Sequence, residues 1–331
     1  MTMAKLSAAR PARLSRGWHQ AEHVGVTVAL AVLVVVLAVT QPNFATTGNA
    51  VNILETNAVL LIAAIGLTFV LLVGGFDLSV GGTVALSGIL LATLSAHMAD
   101  GLAVAVVLVG AFVVGFLTNG LLIGRIGLSF FVVTLGTASL FRGVALVVTE
   151  GRTLTLHDYP LLLDMGRMHI GGLPLSVVVA LGLLVAAYIV TRFTGFGRMV
   201  YAVGGNPEAA RLAGINVPLV RAAAYMICTA CAALAGVLEA ARLASASPTV
   251  ATGLELSAGA AVLLGGTSFL GGSGGVIGTL IGAHFLGTMS NGLTLAGISS
   301  FWQSVVAGAV LLAAVLIDKL RLQSLAKSVG R

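Results

Sequence analysis

Ten apolar runs of membrane-spanning length follow one another along this chain, and they leave it few folds to adopt. They cover 24–40, 57–73, 81–97, 102–123, 129–149, 172–191, 218–240, 254–270, 274–291 and 299–317. A helix crossing the hydrocarbon core needs about 17–25 such residues. Only 8% of the 331 residues are charged and mean hydropathy is +1.09, whereas a soluble domain carries about 25% charged residues to face water. In lipid, only helices and closed barrels satisfy their own backbone hydrogen bonds. Barrel strands alternate apolar and polar positions over about ten residues. The runs here are unbroken, so the expected fold class is all-α, a polytopic membrane protein.

The basic residues set the orientation. Cytoplasmic segments of membrane proteins carry an excess of Lys and Arg. With ten spans and both termini cytoplasmic, the inner segments are 1–23, 123–128, 192–217 and 318–331. Of the 17 basic residues, 12 fall in those segments and Arg221 lies one turn inside the seventh run. Arg142, Arg152, Arg167 and Arg242 fall on the outer side. Nine or eleven spans would put the C-terminal cluster on the wrong side. The organisation expected is a tail over 1–23, a membrane domain over 24–317 and a tail over 318–331. A basic head before an apolar run also fits a signal peptide; the runs downstream favour a retained first helix. Orientation therefore accounts for the net charge of +6, with no need for a nucleic-acid partner.

A short pattern recurs. Gly110-Ala111…Asn119-Gly120-Leu121 returns with equal spacing as Gly282-Ala283…Asn291-Gly292-Leu293. Two halves of five spans would run in opposite directions, a transporter habit; chance likeness of short glycine-rich strings is the alternative. Cys228 and Cys231 lie in an apolar run without a second pair or a histidine cluster, so they read as small packing residues rather than a metal or redox site.

Three segments stand out. Residues 71–83 read LLVGGFDLSVGGT, with glycine pairs on both sides of Asp77. One reading is a broken helix lining a translocation path, with Asp77 and Ser79 exposed to solute. The other is a turn near the cytoplasmic face in which Asp77 caps the third helix. Residues 265–282 place Gly274, Gly278 and Gly282 at intervals of four, a face on which another helix can approach closely. Asn57, Asn119, Thr134, His284, Asn291 and Gln303 can bond a polar solute or one another, and Glu239 is expected to pair with Arg242.

The loop at 192–217 is the most specific. Asn206 suits an N-cap and Pro207 the first helical position. Glu208 complements the helix dipole and Gly214 supplies a stop. The intervening Glu208-Ala209-Ala210-Arg211 helix is two turns at most, too short to persist alone in water. It asks for a surface to dock on; a solvated connector is the bland alternative. No G-x-x-x-x-G-K-[ST] or H-E-x-x-H occurs, and no G-x-S-x-G in a strand–turn–helix setting, so neither nucleotide binding in a P-loop nor hydrolytic chemistry is expected on this chain.

GGFDLSVGG (74–82), FVVTLGTASLFRG (131–143), GFGRMVYAVGGNPEAARLAGINV (195–217) and LLGGTSFLGGSGGVIGTLIGA (263–283) resemble the permease subunits of ribose/xylose/arabinose-type ABC sugar importers, across about residues 45–320. The resemblance implies a bacterial inner-membrane protein acting by alternating access. Its implied partners are a second permease (a copy or a relative), a cytoplasmic ABC ATPase holding ATP and Mg, and a periplasmic sugar-binding protein. It assigns Asn206, Pro207, Glu208, Ala209, Ala210, Arg211 and Gly214 to ATPase coupling. Asn57, Asp77, Ser79, Asn119, Phe131, Thr134 and Asn291 become candidates for the translocation path. Ser129 stands where such permeases often have Pro, and Ser257 where an Asp often follows Glu-Leu, which bears on the solute. An ion-driven transporter is the competing reading; it needs a mid-membrane acid, and only Asp77 offers one. A non-transporting scaffold would need neither the capped loop helix nor the glycine breaks.

Overall fold

The computed structural model describes residues 16–299 and 301–329. Each expected apolar run coincides with a helix. These are α1 (Arg16–Thr40), α2 (Thr47–Leu72), α3 (Val80–Ser95), α4 (Asp100–Gly115, continued as a π-helix over Phe116–Arg125), α5 (Phe130–Thr149), α7 (Leu175–Phe193), α10 (Val217–Leu243), α11 (Leu254–Leu264), α12 (Val276–Leu295) and α13 (Phe301–Val329). Short elements lie between them: α6 (Pro160–Arg167), α8 (Gly195–Gly205) and α9 (Pro207–Leu212). Strands β1 (Leu154–Thr155) and β4 (Ser245–Ala246) pair antiparallel, as do β2 (His169–Ile170) and β3 (Leu173–Pro174). Among the described residues, six helices are long and apolar enough to cross a membrane: α2, α4 with its π continuation, α5, α7, α10 and α13 up to Leu320. Lys5, Arg10, Arg13 and Arg331 lie outside the described residues. α1 begins at Arg16 and α13 continues to Val329.

Two runs depart from the expected spans. The eighth was to be helical over 254–270, but α11 stops after 11 residues at Leu264. Gly265 and Gly266 follow, and Gly266, Gly271, Gly272 and Gly274 all take positive φ, where a helix cannot continue. Gly274 therefore lies outside α12, and only Gly278 and Gly282 use the expected spacing; they close directly on Gly265 and Ala261 of α11. The third run, expected over 81–97, ends as helix at Ser95. Residues 73–79 leave α2 as non-helical chain before α3 begins and bring Asp77 against Cys228, the twelfth of the 27 residues of α10.

The axis of the bundle is the α2–α10 pair. Within their most apolar windows 72% and 56% of residues are buried, against 6% for α13 and 17% for α4. Close approach rests on glycine. A Cβ at Gly66 of α2 would meet the Cβ of Cys231 at 2.7 Å, and Gly236 of α10 lies on the Val84 carbonyl of α3. Gly115 and Gly124 bring α4 equally close to Thr229 and Pro218. The free cysteines are thus buried beneath Gly66 as packing residues. The pairing pattern repeats between halves: α10 packs on α2, α3 and α4, while α2 packs on α11 and α12, and α3–α5 is matched by α11–α13.

Lipid tails supply no hydrophobic drive between helices, so this fit carries the association. Gly236→Val is expected to lower the melting midpoint in detergent, by an overpacking cost of about 1–3 kcal/mol. Gly110→Ala, with open space around it, is expected to leave the midpoint unchanged or raise it. Equal midpoints for the two variants would refute the glycine-contact account.

Candidate functional site

The path candidates separate into two groups. The first is a buried cluster at the α2–α3 break. Asp77 Oδ1 accepts from the Ser79 backbone N–H (2.8 Å) and from Ser79 Oγ (2.6 Å). Asn119 Nδ2, on the π segment, donates to both Asp77 oxygens (3.3 and 3.2 Å) and to Ser79 Oγ (3.0 Å). Thr137 of α5 donates to Asn119 Oδ1 at 2.8 Å. Asp77 and Asn119 are fully buried. Asp77 thus precedes α3, whose N-cap position is Ser79 with no side-chain cap bond, and the cluster ties three elements together. Thr134 is also buried, with no partner for its hydroxyl among the described residues. Phe131 faces outward from α5, 56% exposed.

The second group borders a cavity of about 520 Å³, within the roughly 300–1,000 Å³ typical of small-molecule sites. Its walls come from α2, the 251–253 turn with the start of α11, α12, and the first turns of α13. Asn52, Thr56 and Asn57 face it from one side, Ser290, Asn291 and Thr294 from another, and Gln303 and Ser304 from a third. No lining residue carries a charge. Asn291 and Asn49 exchange amide bonds of 2.8 and 3.1 Å. Gln303 accepts from Ser290 Oγ (2.7 Å) and donates to Thr294 Oγ1 (3.1 Å). Asn57 is 2% exposed, and its Nδ2 has no partner among the described residues. A buried donor without an acceptor costs about 1–3 kcal/mol. Gly287 makes room for it; a Cβ there would overlap the Asn57 amide. The cavity therefore presents a neutral, hydroxyl-bearing solute with several fixed amides and hydroxyls, the unpartnered Asn57 Nδ2 itself being buried.

A third set surrounds the loop helix. The loop helix occurs as α9: Asn206 Oδ1 accepts from the Glu208 and Ala209 N–H groups (3.1 and 3.0 Å), and Gly214 takes φ +84°. Arg211 and Glu208 pair at 2.6 Å, with both side chains largely exposed. Ala210 is buried against the permease, while Leu212 is 81% exposed. The preceding helix, α8, fastens this surface to both breaks. Gly204 lies on the Leu72 carbonyl, and Gly272 N–H donates to that carbonyl at 3.0 Å. A Cβ at Gly271 would come within 2.7 Å of Gly74 N, and one at Gly272 within 2.7 Å of Gly205 Cα. Tyr201 donates to the Gly274 carbonyl at 2.9 Å. Phe69 and Phe196 stack 6.4 Å apart.

Tyr201, Gly204 and Gly205 escaped the sequence reading, as did Asn52, Thr56, Ser290 and Ser304. A signal for the latter was present in the i, i+4 spacing of Asn52 and Thr56 and of Ser290 and Thr294, which puts each pair on one helix face. Glu239 and Arg242 do pair, through two bonds of 2.9 Å.

A central discontinuous-helix pair, a neutral polar cavity and a capped loop helix define a membrane transport subunit. The chain belongs to the family described as "Branched-chain amino acid transport system / permease component", which it matches over residues 49–315. It is 42% identical to the ribose import permease protein of Escherichia coli over 295 residues, 88% of this chain and 92% of the relative. The ribose import permease protein of Bacillus subtilis is 40% identical over 299 residues, 90% of this chain and 93% of the relative. The D-allose transport system permease protein of Escherichia coli is 35% identical over 294 residues, 88% of this chain and 90% of the relative. No solved structure matches the chain.

Asn119→Ala would withdraw every amide bond from Asp77 while leaving the carboxylate buried. Hydrogen bonds to charged groups contribute about 1.5–3 kcal/mol, so a fall in the detergent melting midpoint is expected. An unchanged midpoint would mean that water reaches the cluster.

Proposed function

We propose that this chain is the permease subunit of an ATP-driven importer that moves a neutral sugar of the ribose or allose kind across the bacterial inner membrane. The uncharged cavity with the unpartnered Asn57 amide carries this reading. A sugar presents hydroxyls in every direction, and each cavity wall answers with amides and hydroxyls. A site for an anion or an amino acid would hold a fixed charge, and this lining holds none. Ten spans in two inverted halves, with both termini cytoplasmic, fit the distribution of basic residues and the repeated helix pairings. The short α3 and α11 then become the third span of each half.

Energy enters from a separate ATPase chain. α9 presents Leu212, Ala209 and the Glu208–Arg211 pair as the docking surface, and α8 passes its displacement to the Leu72–Gly75 and Gly271–Gly275 backbones. A second permease completes the membrane core, and a periplasmic binding protein delivers the sugar. The ion-driven alternative rests on Asp77, which is fully buried. Four donor contacts from Ser79 and Asn119 occupy its oxygens, which suits a structural tie better than an ion relay.

Two tests address the two halves of this reading. Asn57→Ala is expected to weaken sugar binding about tenfold, the equivalent of one buried hydrogen bond of about 1.4 kcal/mol, read as half-saturation in proteoliposomes. Ala209→Asp and Leu212→Asp, both at exposed positions, are expected to abolish co-purification of a P-loop ATPase while the variants insert normally. Uptake that needs no ATPase and follows an imposed ion gradient would overturn the importer reading and favour Asp77 as the coupling acid.

A further inference from the structure

The outer wall of the cavity is a turn that does not hold itself. Residues 247–253 connect β4 to α11, and Ala251, Thr252 and Gly253 line the cavity. Within it Ala251 takes left-handed backbone at φ 56°, as does Ala244, the residue before β4, at φ 50°. Such positions cost about 1–3 kcal/mol each and persist when surrounding structure over-determines them. The turn has bonds of its own, from Val250 N–H to the Ser247 carbonyl (3.2 Å) and from Thr252 Oγ1 to the Thr249 carbonyl (2.8 Å). Bonds from Leu254 N–H to the Ala251 carbonyl and from the Leu256 and Ser257 N–H groups to the Gly253 carbonyl, 3.1 Å each, join its end to α11, and β4 before it pairs with β1; none of these bonds ties the turn to α5.

The external tie is Arg142 of α5. Its Nη1 donates to the Pro248 carbonyl at 2.8 Å and to the Val250 carbonyl at 3.0 Å. Glu255, in the first turn of α11, lies close enough for the two charges to interact. Gly81 at the start of α3 fits against both Glu255 and the Ala251 carbonyl, and leaves no space for a Cβ. The guanidinium is thus seated where α3, α5 and α11 meet. A charged donor in a low-dielectric setting makes hydrogen bonds about twice as strong as neutral ones. We propose that Arg142 is a positioning residue for solute: by holding Pro248 and Val250 it fixes the 251–253 wall of the cavity, and so couples the placement of α5 to the cavity's outer side. This rests on the reading of the cavity as the sugar site.

The test places a reporter on the wall itself. Thr252→Cys, at an exposed position on the cavity lining, is labelled with a membrane-impermeant thiol reagent in membranes carrying the full chain, and D-ribose is titrated as the protectant. Arg142→Met in that background is expected to raise the half-protecting concentration about tenfold and to speed labelling without sugar. Arg142→Lys, which keeps a charged donor, is expected to return both readouts toward the reference. Asn57→Ala is expected to raise the half-protecting concentration while leaving the sugar-free labelling rate unchanged. If Arg142→Met changes neither readout, the proposal is overturned. If D-ribose never protects the reference, the sugar-site reading fails instead, and the labelling rate alone then decides whether Arg142 holds the wall. Should Arg142→Met not assemble, Arg142→Gln carries the same expectation, its amide falling short of both carbonyls. Failure of both to assemble would make Arg142 a folding residue and overturn the positioning role.

Discussion

The closest approach of backbones, made at glycine, is the constraint on which this molecule depends. Water is absent between the helices, so burying apolar side chains gains nothing over leaving them in lipid. What remains is contact at short range, and α10 makes it on three neighbours: at Gly66 of α2, at Gly115 and Gly124 of α4, and through its own Gly236 on α3. Side chains at those points would separate the helices by the width of a methyl group or more. The same device closes α11 on α12 at Gly265 and Gly282. Peripheral helices such as α13 are held to this axis more loosely and spend their apolar side chains on lipid.

Polar groups inside such a bundle have two fates, and the difference separates scaffold from site. Where every donor and acceptor meets a partner, as for Asp77, Ser79, Asn119 and Thr137, the cluster fixes geometry and is closed to solute. Where a donor is left over, as at Asn57, the structure retains a cost that a ligand can relieve. Asn119 and Asn291 fill equivalent places in the repeated sequence pattern, yet the first belongs to the scaffold and the second to the cavity wall. Residue type gives no hint of this. Only the surroundings tell them apart.

The division between legible and illegible features follows from range. Run length acts locally, so a helix over each apolar run could be read off directly. The α9 cap could as well, because Asn206, Pro207 and Gly214 act within one turn of their own position. The surroundings of Asp77 could not, because apolar counting says nothing of the chain between runs. The sequence holds no local sign that 73–79 folds inward against Cys228. The truncated α11 was announced by Gly265-Gly266, but glycine doublets serve packing elsewhere in the chain, and the positive φ at Gly266 is a tertiary outcome. The cavity was the least legible feature. Its walls come from four helices far apart in sequence, and its polar residues are individually ordinary.

α2 and α12 each connect the α8 contacts to the cavity without a relay of side chains. α2 ends at Leu72, whose carbonyl sits under Gly204 and receives the Gly272 N–H. About 22 Å along the same helix, Asn57 faces the cavity. α12 begins just beyond Gly274, where Tyr201 is bonded, and its far turns carry Ser290, Asn291 and Thr294 on the opposite wall. Each helix is therefore a lever with one end on α8 and the other on the cavity. A displacement of α8 moves both ends of the proposed site together, since three backbones meet at the joint with no side chain to absorb the motion. On the outer side the 251–253 wall is held separately, by Arg142 on α5. Relative motion between the lever pair and the α5-anchored wall is then what opens or closes the cavity. Rigid helices sliding against a tethered turn require little internal deformation, which suits a bundle packed too tightly to bend.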